Sequence, residues 1–287
     1  MSGVGEMKKV KGMIQLFRVE LPLAAGICTV LGELFALGAL PSAGALILGF
    51  LSVFCISAAA LILNDYFDVA VDRINVPDRP LPAGLVTRRD VLLLSIVVMI
   101  VGFAAAALIS IEALLVSVLV WALGFLYNWR YKRAGLVGNL LVSVSVGMTF
   151  IYGGLAVGRP FEVIVWYFAG LAMLIDLGEE ITGDAMDMVG DTEIDSRSLA
   201  LSLGRDAALR ISRVIFLGVV LYSSLPFLAG WLEPKYIWPV VFMDGVILYS
   251  TWKLVDPRTE APRRYMRWIY LSGTLAMVVM LVIRLVS

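Results

Sequence analysis

The chain has 287 residues, of which 60% are hydrophobic and 16% charged; its mean hydropathy is +0.91 and its formal net charge is zero. That composition excludes a soluble globular domain and a disordered tail, and describes a polytopic membrane protein with no nucleic-acid partner. Two cysteines and no histidine exclude a disulfide framework and remove the commonest general base, so any chemistry rests on carboxylates, Lys, Arg, Tyr and metal.

Apolar runs long enough to cross a ~30 Å hydrocarbon core fall near 14–38, 43–65, 91–110, 112–128, 136–156, 161–181, 209–231, 237–255 and 267–286. They predict nine transmembrane helices in a single all-α domain over 1–287. The first run is too long for a cleavable leader and lacks a small-residue cleavage site, so it reads as a span. Lys and Arg resist translocation, and with nine spans 20 of the 23 basic residues fall on the side of the N-terminus. Only Arg159, Lys235 and Arg284 fall on the other. The expected topology in the cell membrane is therefore N-terminus cytoplasmic and C-terminus outside.

Two acidic stretches interrupt this apolar background, Asn64-Asp65-Tyr66-Phe67-Asp68-Val69-Ala70-Val71-Asp72 and Asp184-Ala185-Met186-Asp187-Met188-Val189-Gly190-Asp191. Asp65, Asp68 and Asp72 repeat the spacing of Asp184, Asp187 and Asp191. On a helix these offsets fall within a ~60° arc, so each stretch presents a stripe of carboxylates on one face. Both stripes lie at expected cytoplasmic helix ends. Each is followed by a basic loop and a new helix opening with Arg-Asp, at Arg89-Asp90 and Arg205-Asp206, which suggests a duplicated unit. Asp90 and Asp206 are expected to cap those helices, while Asp244, inside the eighth run, is expected to cap a kink at Gly245 or to meet a basic side chain.

A single aspartate at a helix end is ordinarily a solvated terminus. Two matching triplets on one side of a membrane are costly to keep without use. With Glu180 they bring seven carboxylates toward one cavity, and like charges so close need cations to stay ionised. Hard oxygen donors select Mg²⁺, Mn²⁺ or Ca²⁺. Facing stripes would form a metal cage from Asn64, Asp68, Asp72, Asp184, Asp187 and Asp191. A diphosphate would share that metal, with Arg79, Lys132, Arg133 and Arg197 holding its remaining oxygens. A polar head at the cytoplasmic edge and an apolar tail among helices describe a prenyl diphosphate.

At these residues the chain resembles the UbiA-type intramembrane prenyltransferases, whose pattern N-D-x-x-D-x-x-x-D is met by Asn64, Asp68 and Asp72, and whose D-x-x-x-D is met by Asp187 and Asp191. The resemblance extends to Asp78-Arg79-Pro80-Leu81-Pro82 and to Tyr127-Asn128-Trp129-Arg130-Tyr131-Lys132-Arg133 ahead of Gly138-Asn139. It implies a helical bundle around a cavity open to lipid, Mg²⁺-dependent loss of diphosphate from a prenyl donor, and capture of the allylic cation by an acceptor. Around Glu180 and Asp184 the text is similar to the archaeal digeranylgeranylglyceryl phosphate synthases, which implies geranylgeranyl diphosphate as donor and the lipid-like geranylgeranylglyceryl phosphate as acceptor. The chain departs from that pattern at Glu179 and Gly183, where basic residues are common, and at Glu20, where asparagine is frequent.

On this reading Asn64, Asp68, Asp72, Asp187 and Asp191 are catalytic through the metal, and Arg79, Lys132, Arg133, Tyr131 and Arg197 bind diphosphate. Asp65, Glu180 or Asp184 takes the hydroxyl proton, and Tyr66, Tyr127 and Tyr131 line the cation or orient phosphate. An aromatic acceptor of the quinone, haem or chlorin type would keep the mechanism. From other classes, a cation-coupled transporter would place its acids nearer the bilayer midplane, and a lipid phosphotransferase would release phosphate or nucleotide.

Overall fold

The computed structural model describes residues 2–192, 196–256 and 262–286, with side chains from residue 6. Arg258, one of the basic residues counted above, lies outside the described residues. All regular structure among the described residues is helical: α1 (Ser2–Leu16), α2 (Glu20–Leu37), α3 (Ala43–Asn75), α4 (Arg88–Ile109), α5 (Ile111–Trp129), α6 (Leu136–Ala156), α7 (Val163–Thr192), α8 (Leu199–Leu203), α9 (Arg205–Ser223), α10 (Leu225–Leu228), α11 (Ile237–Val255) and α12 (Pro262–Val286). Short 3₁₀ turns precede α6 and α11.

The expected first span, 14–38, is broken. Pro22 has no amide hydrogen and sits within the first turn of α2, where none is needed. Arg18 just ahead adopts a left-handed φ of 42°, turning the chain between α1 and α2. The lysine-bearing α1 packs instead beside the start of α4, where Lys9 pairs with Asp90 at 2.7 Å. The pair near 91–128 is two helices: Ser110 is extended, ends α4, and caps α5 by accepting from the Ala113 amide.

Helix length sets the depth of the acids. Asn64 stands 21 residues beyond Ala43 in α3, and Asp184 stands 21 beyond Val163 in α7. At 1.5 Å per residue each motif begins after ~32 Å of helix, about one hydrocarbon thickness. The two units correspond further, since α3 leads through a loop to α4, and α7 leads through α8 to α9. The caps differ. Thr87 and Asp90 form a reciprocal capping box on α4, whereas α9 follows Gly204 with no side-chain cap, so Asp206 lies in the first turn without capping it. Gly204, at φ 88°, supplies the left-handed turn there.

Packing runs from α4 to α3, α2, α6, α7, α9, α11 and α12, and α12 returns to α2, closing a ring. α5 fills the arc between α3 and α6. The Thr182 and Ser212 hydroxyls and the Gly178 carbonyl oxygen stand within 2.8 Å of one another, a hydrogen-bonded cluster that fixes α7 on α9. The largest core, with Leu31, Phe150, Phe168, Phe216 and Ile247, lies on the α7, α9 and α11 side of this ring. Outward faces are apolar, as Leu93, Ile100 and Leu108 of α4 illustrate. Among the described residues seven helices are long and apolar enough to cross a membrane: α2 to α6, α9 extended through α10, and α12. The other two expected spans coincide with α7, which carries Asp176, Glu179 and Glu180, and α11, which carries Asp244 and Lys253. α11 is continuous through Gly245, and Ser223 donates to Asp244 at 2.7 Å, so neither a kink nor a basic partner accounts for that acid.

Candidate active site

On α3 each aspartate of the stripe meets a cation from another element. Asp65, 1% exposed, pairs with Arg18 from the α1–α2 turn and lies 3.7 Å from Arg79. Asp68 pairs with Lys132 of the 3₁₀ turn Tyr131–Arg133, and Asp72 accepts from Arg79 at 2.6 Å. Burial first, and the nearby Arg79 guanidinium second, draw Arg18 down from its ordinary value to about 10. Asn64 donates from its amide nitrogen to the side-chain Oδ1 of Asn128 at 2.8 Å, fixing α3 to α5.

The α7 stripe is more open. Asp184 accepts from Asn139 of α6 at 2.9 Å, and Asp187 pairs with Arg263 at the start of α12. Asp191 has no side-chain partner among the described residues. Asp176, two turns below Asp184, accepts from Ser143 at 2.9 Å. Gly190 belongs to the close approach of the two helix ends, because a Cβ there would run into the side chain of Asn75.

Between the stripes opens a cavity of about 1350 Å³. Asn64, Asp72, Arg79, Tyr127 and Lys132 line it from one side, and Asp176, Glu179, Glu180, Asp184, Asp187 and Asp191 from the other. Its deeper walls are apolar, with Ile56, Val116, Trp121, Phe168, Met243 and Met277. Glu20, Glu179 and Gly183, the three departures from the family pattern, all stand on its wall.

The structure places the expected site residues as follows. Among the described residues no three Asp, Glu, Cys or His stand closely enough to share one ion in this arrangement. The physical reason is that Lys132, Arg79 and Arg263 stand on Asp68, Asp72 and Asp187, dividing the expected set of Asn64, Asp68, Asp72, Asp184, Asp187 and Asp191 into ion pairs. Asp65 faces Arg18 and is not on the cavity wall, whereas Glu180 and Asp184 are on that wall. Arg197 is exposed and off the wall, joined by its amide to the Arg133 carbonyl at 3.0 Å. Arg133 borders a small neighbouring hollow that Asp68 and Lys132 share. Tyr131 lines neither space, and Tyr66 lies under the Arg88 guanidinium at 5.2 Å. Tyr127 alone of the three tyrosines reaches the cavity.

Residue spacing did not single out Arg18, Asn128, Asn139, Asp176, Arg263 or Arg267 as parts of this site. Arg18, Asn128, Asn139, Arg263 and Arg267 are brought in by segments distant from the motif residues they stand near, whereas Asp176 lies on α7 itself. Asp176 carries the one usable signal: with Glu180 and Asp184 it extends the α7 stripe inward at intervals of four.

The model of the UbiA prenyltransferase family matches residues 25–281. The chain belongs to that family. It is thus a multi-pass membrane enzyme of the prenyltransferase class. A UbiA relative, the digeranylgeranylglyceryl phosphate synthase of Pyrococcus abyssi, is 33% identical over 255 residues, 89% of this chain and 91% of the relative. A solved structure described for digeranylgeranylglyceryl phosphate synthase in membranes is 27% identical, with TM-score 0.72 over 94% of this chain and 98% of that one. A UbiA homologue from Archaeoglobus fulgidus, solved bound to GPP and Mg²⁺, shares the fold at 18% identity and TM-score 0.69, over 93% of this chain and 97% of that one.

These residues fit a hard divalent cation. All the candidate donors are oxygens, and Asp72 Oδ2 is buried without a hydrogen-bond partner.

Proposed function

We propose that this UbiA enzyme transfers a geranylgeranyl group from its diphosphate to the glycerol hydroxyl of geranylgeranylglyceryl phosphate, forming an ether lipid. The observation that carries the reading is one apolar-walled cavity whose mouth holds acids from two helices beside Arg79 and Lys132. The names of the curated relatives support the acceptor, and the GPP and Mg²⁺ of the Archaeoglobus homologue support a prenyl diphosphate and a divalent metal.

Asp68 and Asp72 on α3, with Asn64, and Asp184, Asp187 and Asp191 on α7 are the residues that would hold Mg²⁺, or Mn²⁺ in its place. Mg²⁺ needs only one or two protein carboxylates when phosphate oxygens share it, which is consistent with stripes that do not close into a cage. The metal would supply Lewis-acid withdrawal of charge from the diphosphate. Lys132 and Arg79 hold donors toward the same oxygens and stabilise the departing charge electrostatically. The apolar wall below excludes water from the allylic cation, for which water is the competing nucleophile. Glu180 and Asp184, facing the same space, take the hydroxyl proton as the C–O bond forms.

In this reading the single domain 1–287 crosses the cell membrane nine times, with α7 and α11 among the spans, the N-terminus and both stripes cytoplasmic, and the C-terminus outside. Charged stretches within α7 and α11 are tolerated because they face the cavity or neighbouring helices.

Purified protein in detergent, given Mg²⁺, geranylgeranyl diphosphate and a panel of acceptors, tests the proposal by mass spectrometry of the lipid extract. The expected product is the diether phosphate, lost with EDTA and in Asp68→Ala and Asp191→Ala. Prenylation of an aromatic acceptor alone would move the enzyme to another pathway.

A further inference from the structure

The cavity is larger than one ligand needs. Sites for single small molecules enclose roughly 300–1,000 Å³, against about 1350 Å³ here. Its walls also divide by helix. Below Lys132 and Arg79 the lining is Val53 and Ile56 of α3 with Val116 and Trp121 of α5. Across from it stands one face of α12, on which Arg263, Arg267, Tyr270, Thr274, Met277 and Met280 all reach the cavity. Their spacing of three or four residues makes a continuous stripe ~26 Å long. The stripe is cationic at its cytoplasmic start and apolar beyond, which matches an amphiphile with an anionic head.

The two guanidiniums are positioned but not saturated. Arg267 is held by Glu20, with Nη2 at 3.2 and 3.4 Å from its two oxygens, and Tyr270 braces the same segment by donating to the Glu20 carbonyl at 3.0 Å. Arg263 is held by Asp187, also through Nη2. A guanidinium carries five N–H donors, so Nε and Nη1 of each arginine have no partner among the described residues and remain for a further anion. Arg264, between them in sequence, is turned away: its guanidinium lies 4.7 Å over the Trp268 ring and does not line the cavity.

We infer that the α12 face is the acceptor subsite: Arg263 and Arg267 bind the phosphate monoester of the acceptor lipid, and its chain runs along Tyr270, Met277 and Met280. This rests on the ether-lipid reading above and deepens it, since it makes α12 the element that selects a phosphorylated acceptor. The donor diphosphate is left to Arg79 and Lys132 on the opposite wall.

The test is equilibrium binding of geranylgeranylglyceryl phosphate, and of geranylgeranylglycerol lacking the phosphate, to the full chain in detergent with EDTA, followed by acceptor and donor kinetics with Mg²⁺. The variants are Arg263→Gln with Arg267→Gln, the same pair with Glu20→Gln so that the acid holding Arg267 is not left unpaired, the double lysine variant, and Arg264→Gln. The glutamine variants are expected to bind the phosphorylated lipid on the order of tenfold to a hundredfold more weakly. Their acceptor KM should rise in step while donor KM and kcat hold, which also shows that they fold, and the preference over geranylgeranylglycerol should vanish. The lysine pair, a point charge without the fork, should fall between, and Arg264→Gln should match wild type. Unchanged acceptor binding, or a donor KM that rises equally, overturns the inference while wild-type diether synthesis leaves the function standing. A wild-type enzyme that prenylates only acceptors without phosphate overturns both.

Discussion

The two acidic stripes share a spacing and differ in everything that surrounds it. On α3 the acids are buried and each meets a cation, Arg18, Lys132 or Arg79. On α7 Asp184 meets a neutral amide, Asp187 an exposed arginine, and Asp191 no side chain among the described residues. The α3 stripe is thus largely neutralised before any ligand arrives, whereas the α7 stripe carries uncompensated negative charge into the cavity. The contrast gives the first a structural part, and on the reading proposed above the second takes up cation with the substrate.

The sharpest test of that contrast separates activity from stability. Asp68→Ala and Asp191→Ala should each lower kcat for prenyl transfer by about 10²–10³-fold, measured by product mass spectrometry, and EDTA should abolish turnover. Only Asp68→Ala should also lower the unfolding temperature in detergent, because it strands Lys132 beside a vacated partner. Equal stability losses would erase the distinction between the stripes. The next largest effect is expected at Arg18→Gln, which leaves Asp65 buried without its guanidinium and should cost about 3 kcal/mol in denaturant or thermal unfolding. The matching change at Arg263, whose side chain is 57% exposed, should cost less than about 1 kcal/mol. A reversed order would mean that the α7 stripe is the structural one. The smallest difference lies in the helices that follow. Thr87→Ala breaks a reciprocal cap and should cost about 1 kcal/mol, while Asp206→Ala removes only a favourable charge near an uncapped helix start, about a few tenths.

Much of the fold was legible because it depends on local periodicity and composition. Long apolar runs give helices, Ser110 and the Gly204 turn divide them, and offsets of three and four place Asp65, Asp68 and Asp72 on one face whatever the helix packs against. The break at Arg18 was partly legible in Pro22. The pairing of the acids was not legible for a different reason: the pattern reports where carboxylates point but not which cations reach them. Tyr131 and Arg133 belong to the stretch that resembles the family and Arg197 follows the second acidic motif, yet their turns carry them off the cavity wall.

From composition and spacing alone follow a membrane protein of helices and two acid-bearing faces at matching depth; the motifs add a resemblance to a family that moves prenyl groups. Those properties are repeated every few residues and need no partner to be expressed. The ion pairs that shape the site join residues 47, 64 and 76 apart, and 247 apart for Arg267 and Glu20. Which of several arginines meets a given acid is decided by the closing of the ring, where burial makes each unpaired charge costly and leaves only the packed arrangement able to satisfy them together. The cavity, its two unlike walls and the arginines of α12 exist only at that level.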